Sequence, residues 1–310
     1  MATEIYVIAG FLGAGKTTLI QKLLRETFKK EKVVLIENDF GEISIDAALL
    51  RSGGIEVREI NSGCICCSLS GDFVKALQEL LDRFHPDKIV IEPSGVSKLS
   101  DIVKACSDPR LQPLAEVKGK ITIVDANRCA LYLDNFGEFF EDQIRNAGII
   151  LLSRTGDCPE EIKDVYKLIR DLNTHASILA KPWDQINAAE ILFPQDHCHE
   201  HTHGHEHIHD HDCDHSHNHS AEDIFDTVTI QTKRVFSPEE LKARVAHMER
   251  ITGGTVLRAK GILRTSGGYV NLQYLPGDIR ITSCTTRGNT LCLIGRNLDR
   301  QELAGLFSGE

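Results

Sequence analysis

Gly10-Phe11-Leu12-Gly13-Ala14-Gly15-Lys16-Thr17 has the spacing G-x-x-x-x-G-K-[ST]. An apolar run, Ile5–Ala9, precedes it and an amphipathic stretch follows it, the setting in which this motif binds phosphate. Around Gly10, Gly13, Ala14 and Gly15 the backbone N–H groups can close on a phosphate chain, and the helix opening behind them adds favourable partial charge. Lys16 is the residue to meet the β- and γ-phosphates, and Thr17, followed by Thr18, the one to ligate Mg²⁺. Such a loop needs a second acid at the end of another strand. Ile89-Val90-Ile91-Glu92-Pro93-Ser94-Gly95 supplies Glu92, a carboxylate that would be costly at a buried strand end unless it met metal-bound water. Gly95 is placed to offer its N–H to a γ-phosphate.

Two further groups of residues suit metal ions. Cys64-Ile65-Cys66-Cys67 brings three thiols together, a set that fits Zn²⁺ or a similar ion with a fourth ligand from elsewhere. The same residues would also serve as small buried hydrophobes or, with strain, as a vicinal disulfide. Glu37-Asn38-Asp39-Phe40-Gly41-Glu42 holds three acids beside the phosphate motif, suited to Mg²⁺, a second metal or an attacking water, or simply to a solvated loop. Residues 196–223 carry His197, His199, His201, His203, His205, His207, His209, His211, His215, His217 and His219 together with Cys198 and Cys213. Alternating imidazoles make no single rigid site, but they can wrap several ions in shifting sets completed by Asp, Glu or Cys. Read blandly, the segment is an acidic, solvated spacer. Its imidazoles should release metal below about pH 6, given a reference pKa near 6.5. His85, His175 and His247 lie outside this cluster and read as surface or cap residues.

The elements that must position these groups follow from hydrophobic patterning. Ile5–Ala9, Val33–Ile36, Ile89–Ile91, Ile121–Val124 and Ile149–Leu152 are short and apolar but for Thr122, with a further run near Ile178-Leu179. Strands apolar on both faces belong inside a parallel sheet covered by helices. Thr17–Lys29, Phe73–Phe84 and Pro159–Leu172 are amphipathic at helical spacing. The alternation predicts an α/β fold over residues 1–195, a doubly wound, mostly parallel sheet carrying a P-loop. Residues 196–223 cannot form a core and read as a His-rich linker. Beyond them, Thr227–Thr232, Val256–Arg264, Tyr269–Tyr274 and Thr290–Ile294 read as strands. Helices are expected from Ser237-Pro238-Glu239-Glu240 and over Asp299–Phe307. Residues 224–310 are thus a smaller α+β domain with an antiparallel sheet.

The chain has 310 residues, 41% of them apolar, which is enough for a proper core. Its net charge of −10 argues against a nucleic-acid partner, and residues 196–223 alone carry −8 of it. No apolar run is long enough to cross a bilayer and no signal peptide opens the chain, so a soluble cytoplasmic protein without a membrane partner is expected. The ten cysteines then read as thiols or metal ligands rather than a disulfide frame.

As a set, Gly10–Thr18, Ile36–Asp46, Gly63–Cys67 and Glu92–Gly95 resemble the CobW-like GTPases, relatives of UreG and HypB. The resemblance extends along the whole chain, through the His-rich linker and the small C-terminal domain. It implies a GTP-hydrolysing protein that delivers Zn²⁺, Co²⁺ or Ni²⁺ to a client metalloprotein or a cofactor-assembly protein. It also implies that Cys64, Cys66 and Cys67 form the internal metal site, with Glu37 or Glu42 as further ligands. Asp39 and its loop become a nucleotide-sensing switch that orients the attacking water. The family reads guanine through Asn-Lys-x-Asp, and here Ser153-Arg154-Thr155-Gly156-Asp157 stands instead. Arg154 can replace the lysine stem over the base, whereas Asp157 comes one place late. Either the loop bulges to bring Asp157 in or guanine preference is weakened, so GTP is implied by the resemblance and not secured by the residues. Nothing in the sequence names the ion or the client, and a homo-oligomer is compatible with it. Two other functions fit the same motifs: a metal store with weak nucleotide hydrolysis, and a small-molecule kinase on a P-loop scaffold.

Overall fold

The computed structural model describes residues 2–37, 56–59, 72–156, 162–194, 224–250 and 254–307. Seven parallel strands form the first sheet: β1 (Thr3–Gly10), β2 (Val33–Glu37), β3 (Glu56–Glu59), β4 (Lys88–Glu92), β5 (Ala115–Asp125), β6 (Ile149–Ser153) and β7 (Ser177–Leu179). Their spatial order is β3-β2-β4-β1-β5-β6-β7, so β1 lies centrally between β4 and β5.

Alternation along β1 divides the core. Ile5, Val7 and Ala9 face α2 (Asp72–Phe84), α3 (Leu99–Cys106), α4 (Cys129–Arg145) and α5 (Ile162–Leu172). Tyr6 and Ile8 face α1 (Lys16–Glu26) and the short α6 (Ala188–Leu192). Burying both faces explains the unbroken apolar runs in the sequence, because neither side of the pleat meets water. Helix α1 is shorter than its amphipathic pattern, which runs on to Lys29. Its last apolar residue, Phe28, lies past the helix end yet still packs into the core, 3% exposed. Strand β3 had no signal in the sequence, since Glu-Val-Arg-Glu is too short and charged to show a period.

The second sheet is antiparallel: β8 (Asp226–Gln231), β9 (Thr255–Thr265), β10 (Gly268–Leu275), β11 (Asp278–Cys284) and β12 (Thr290–Arg296), ordered β11-β10-β9-β12-β8. Helices α7 (Pro238–His247) and α8 (Arg300–Phe307) cover one face through Leu241, Val245, Leu303 and Phe307. Ser237 caps α7 as expected, its Oγ accepting from the Glu240 N–H at 3.1 Å. Strand β11 was absent from the four-strand expectation. Its Ile279 and Ile281 alternate toward the helices, and a tight turn at Pro276-Gly277, with Gly277 at φ 76°, returns the chain from β10.

The other face of this sheet rests on the first domain. Leu257, Leu275 and Ile294 join the cluster that holds Phe11, Leu12 and Phe136. Phe225, just before β8, packs against Phe136 and Phe139, tilted to the first and edge-on to the second, with ring centroids 5.9 and 5.3 Å apart. The guanidinium of Arg296 lies 4.9 Å from the Phe136 ring centroid.

Candidate functional site

The phosphate loop takes the shape its glycines allow. Gly13 has φ 72° and Gly15 φ 112°, left-handed values that cost glycine little. A Cβ on Gly13 would stand 2.3 Å from Cδ1 of Leu275, so this glycine also permits the contact between the domains. Helix α1 opens directly after Gly15, and no side chain caps its first turn. Its leading N–H groups are therefore available to an anion, and the loop fits a phosphate chain. Lys16 is 6% exposed and donates from Nζ to the Gly10 carbonyl at 3.0 Å, folded over the loop it would serve.

A cavity of about 430 Å³ opens above the loop. Of the residues expected to bind nucleotide or Mg²⁺, Gly13, Ala14, Gly15, Lys16, Thr17, Thr18, Glu92 and Arg154 line it together. Thr17 and Glu92, hydroxyl and carboxylate across one cavity, are a donor set suited to Mg²⁺. Gly10 and Gly95 stand outside the lining. Gly10 is wedged against the Ile123 carbonyl, and Gly95 against the backbone of Leu12. The loop carrying Gly95 is held from α4, whose buried Gln143 donates from Nε2 to the carbonyls of Gly95 and Ser97 at 3.2 and 2.8 Å.

Arg154, which lines the cavity, is anchored at its guanidinium. Its guanidinium pairs with Asp125 at 2.7 Å and donates to the Gly13 carbonyl at 3.3 Å, binding the β6 end to the phosphate loop. The Asp125 side chain is 1% exposed. Asp125 ends an apolar strand as Glu92 does, so the pattern that singled out Glu92 was present there as well. Trp183 was also missed. Its indole N–H donates to the Leu152 carbonyl at 2.7 Å, which sets the ring against Gly15 at the cavity wall.

Glu37 ends β2 and is 6% exposed. It is paired in register with Glu92 on one side and with Glu59 on the other. The buried Lys260 of β9 lies within the electrostatic reach of Glu37 and Lys16. Burial pulls its ammonium down to about 8 against the opposing pull of Cys292 and Glu37, while Lys16 adds to the lowering. Asp39, Glu42, Cys64, Cys66, Cys67, Asp157 and the histidines from His197 to His219 lie outside the described residues. Among the described residues, no three His, Cys, Asp or Glu side chains gather as a metal site. The thiols of Cys106 and Cys129 are each pushed up to about 12, chiefly by burial, which keeps them protonated and inert. His85, His175 and His247 are exposed, in line with their reading as surface residues.

A central parallel strand, a glycine loop, a helix opening on Lys16 and an acid ending the neighbouring strand define a nucleotide-binding domain of the P-loop GTPase fold. Residues 4–180 match the family described as CobW/HypB/UreG, nucleotide-binding domain, and residues 225–309 match the cobalamin synthesis protein cobW C-terminal domain. The chain belongs to the CobW/HypB/UreG family. It is 34% identical over 177 residues to the zinc chaperone CobW of a Sinorhizobium species, covering 48% of this chain and 50% of that one. It is 24% identical over 295 residues to the zinc-regulated GTPase metalloprotein activator 1 of Dictyostelium discoideum, covering 83% and 62%. Among solved structures it is similar to the Zn(II)-bound YjiA GTPase of Escherichia coli, with TM-score 0.48 and 20% identity over 99% of this chain and 98% of that one. The chain thus spans about half the length of the Sinorhizobium relative.

Proposed function

We propose that this protein hydrolyses GTP and couples its nucleotide state to the transfer of a divalent transition metal to a client metalloprotein or cofactor-assembly protein. Zn²⁺ is the first choice of cargo, supported by the names of the relatives, and the same ligand types take Co²⁺ or Ni²⁺. The observation that carries the reading is the rung formed by Glu37 and Glu92. It joins a residue suited to the cargo site to one suited to the nucleotide site, across a single pair of strands.

In this reading Lys16 and the N–H groups of the loop hold the phosphates and stabilise the charge that shifts between them during transfer. Thr17 and Glu92 would hold Mg²⁺, which neutralises phosphate charge when bound. Asp39 orients the water that attacks the γ-phosphate. Asp39 follows Glu37 by two positions and precedes Glu42 by three, so a change at the γ-phosphate reaches these two cargo ligands through a few residues of chain, and Cys64, Cys66 and Cys67 complete the cargo site. The histidines of 196–223 gather ions for that site. A cytoplasmic setting suits free thiolates, and among the described residues no helix is long and apolar enough to cross a membrane.

The test is Zn²⁺ affinity by chelator competition, measured with a non-hydrolysable GTP analogue and then with GDP. It is run on the full chain and on a chain lacking residues 196–223. Linkage requires the affinity to differ between the two nucleotides if metal and nucleotide are coupled. Equal, tight binding with both would leave a static metal store.

A further inference from the structure

The cavity over the phosphate loop belongs to two domains. Its floor is Gly13–Thr18, and its roof is the sheet face of the C-terminal domain opposite α7 and α8, with Arg258, Gln273, Leu275 and Arg280. The lining carries four cations, Lys16, Arg154, Arg258 and Arg280, against two acids, Glu92 and Asp278. A net positive cavity in a chain of net charge −10 is a local device for an anion.

Three of these cations have partners nearby. Lys16 donates to the Gly10 carbonyl, Arg154 pairs with Asp125, and Arg280 pairs with Asp278 at 3.2 Å. Among the described residues the Arg258 side chain makes no hydrogen bond or ion pair. Its direction is set by a β-bulge. Ile294 of β12 pairs with Arg258, and the next residue, Gly295, pairs with Val256, which leaves Leu257 as the extra residue. Leu257 and Arg258 therefore both turn to the nucleotide domain, Leu257 into its core and Arg258 into the cavity. Two residues on, Lys260 lies on the same face and feels the charges of Lys16 and Glu37.

We propose that Arg258 is a nucleotide-binding residue supplied by the C-terminal domain, its guanidinium reaching across the domain junction to the phosphates of a bound nucleoside triphosphate. The inference rests on the nucleotide reading of the loop given above. A guanidinium suits this role because its fork of donors matches phosphate oxygens. The nucleotide then fastens the two domains together, and the C-terminal domain senses its phosphates directly.

The test is affinity for a fluorescent, non-hydrolysable GTP analogue with Mg²⁺, titrated into the full chain. Arg258→Ala should weaken binding about tenfold or more, in line with a charge-assisted hydrogen bond. Arg258→Lys, which keeps the charge, should recover part of the loss, and Arg258→Met, which keeps the stem, should not. Arg264→Ala, an exposed arginine of the same strand, should change affinity less than about twofold. The inference is overturned if Arg258→Ala binds within twofold of the natural chain while Lys16→Ala loses binding. It is also overturned if the Lys and Met variants behave alike. If the natural chain and Lys16→Ala bind the analogue equally, the phosphate-loop reading itself fails, and this inference fails with it.

Discussion

Glu37 and Glu92 stand opposite one another, in register, at the C-terminal ends of the adjacent parallel strands β2 and β4. Both are glutamates at the edge of a buried sheet, and the structure separates them by what they adjoin. Glu92 lines the cavity with Thr17, whereas Glu37 is followed in the sequence by the acids Asp39 and Glu42. Glu92→Gln should raise the Mg²⁺ concentration needed for half-maximal GTP hydrolysis by about 10–100-fold and leave Zn²⁺ affinity in place. Glu37→Gln should do the reverse, weakening Zn²⁺ by a similar factor at unchanged Mg²⁺ dependence. Steady-state hydrolysis across a Mg²⁺ series, with chelator competition for Zn²⁺, checks both. Equal effects of both variants on both metals would remove the division of labour.

Arg154 neutralises Asp125, a carboxylate whose side chain is 1% exposed and which also accepts the Asn127 N–H at 3.1 Å. Removing only the arginine takes the opposing charge away from a buried carboxylate, so Arg154→Ala should cost about 3 kcal/mol in urea unfolding. Combining it with Asp125→Asn should recover much of that loss, because no charge is then left behind. A double variant as unstable as the sum of the two single variants would show that the pair is not coupled.

Trp183 is the sole tryptophan of the chain and forms the cavity wall beside Gly15. A Cβ on Gly15 would stand 3.1 Å from its ring. Nucleotide entering the cavity should therefore change the intrinsic emission of the protein, and Trp183→Phe should abolish the signal. Gly15→Ala should weaken nucleotide binding, through both the crowding against Trp183 and the left-handed φ of 112°. Emission that stays constant through saturation would place the nucleotide away from this wall.

At the opposite end of the sheet, Lys88 pairs with Glu4 and, at 3.1 Å, with Glu31. The hydrogen bond from Lys88 holds the Glu4 carboxyl below its ordinary value of 4.5. A folded-state value below the unfolded one stabilises the fold above about pH 4.5, and that contribution is lost as pH falls through the lower, folded value. Glu4→Gln should be slightly less stable than the natural chain at pH 7, by no more than about 1 kcal/mol because the site is partly exposed. The difference should close in acid. Thermal unfolding from pH 3 to pH 7 measures it, and a gap that widens toward low pH would contradict the pairing.

Much of this arrangement was legible in the chain because it depends on local periodicity and short spacings. Five apolar runs marked sheet strands, since strands covered on both faces leave no side open to water; the one polar residue among them, Thr122, donates to the Gln143 carbonyl at 2.6 Å. Gly10–Thr17 and Glu92 were legible for a similar reason. A phosphate loop needs its glycines, lysine and threonine at set intervals, and its acid at a strand end. Strand β3 escaped because four residues with one apolar side chain carry no period. Strand β11 escaped because Asp278–Cys284 offers only Ile279 and Ile281 to its core, and its partners are set by the Pro276-Gly277 turn.

Residue order alone determined the phosphate loop, the parallel sheet and the division into an α/β and an α+β part. Tertiary structure decided which distant residues share the cavity with Lys16. Asp125 meets Arg154, 29 positions away, because β5 and β6 are neighbours. Trp183 reaches Gly15 because its indole is anchored to Leu152. Arg258 lines the cavity because a bulge in β9 turns it toward the nucleotide domain, while Leu275 settles on Gly13. Periodicity reports which face of an element is buried, but it carries no information on what that face is buried against. That is settled by the packing of one sheet on the loop of another.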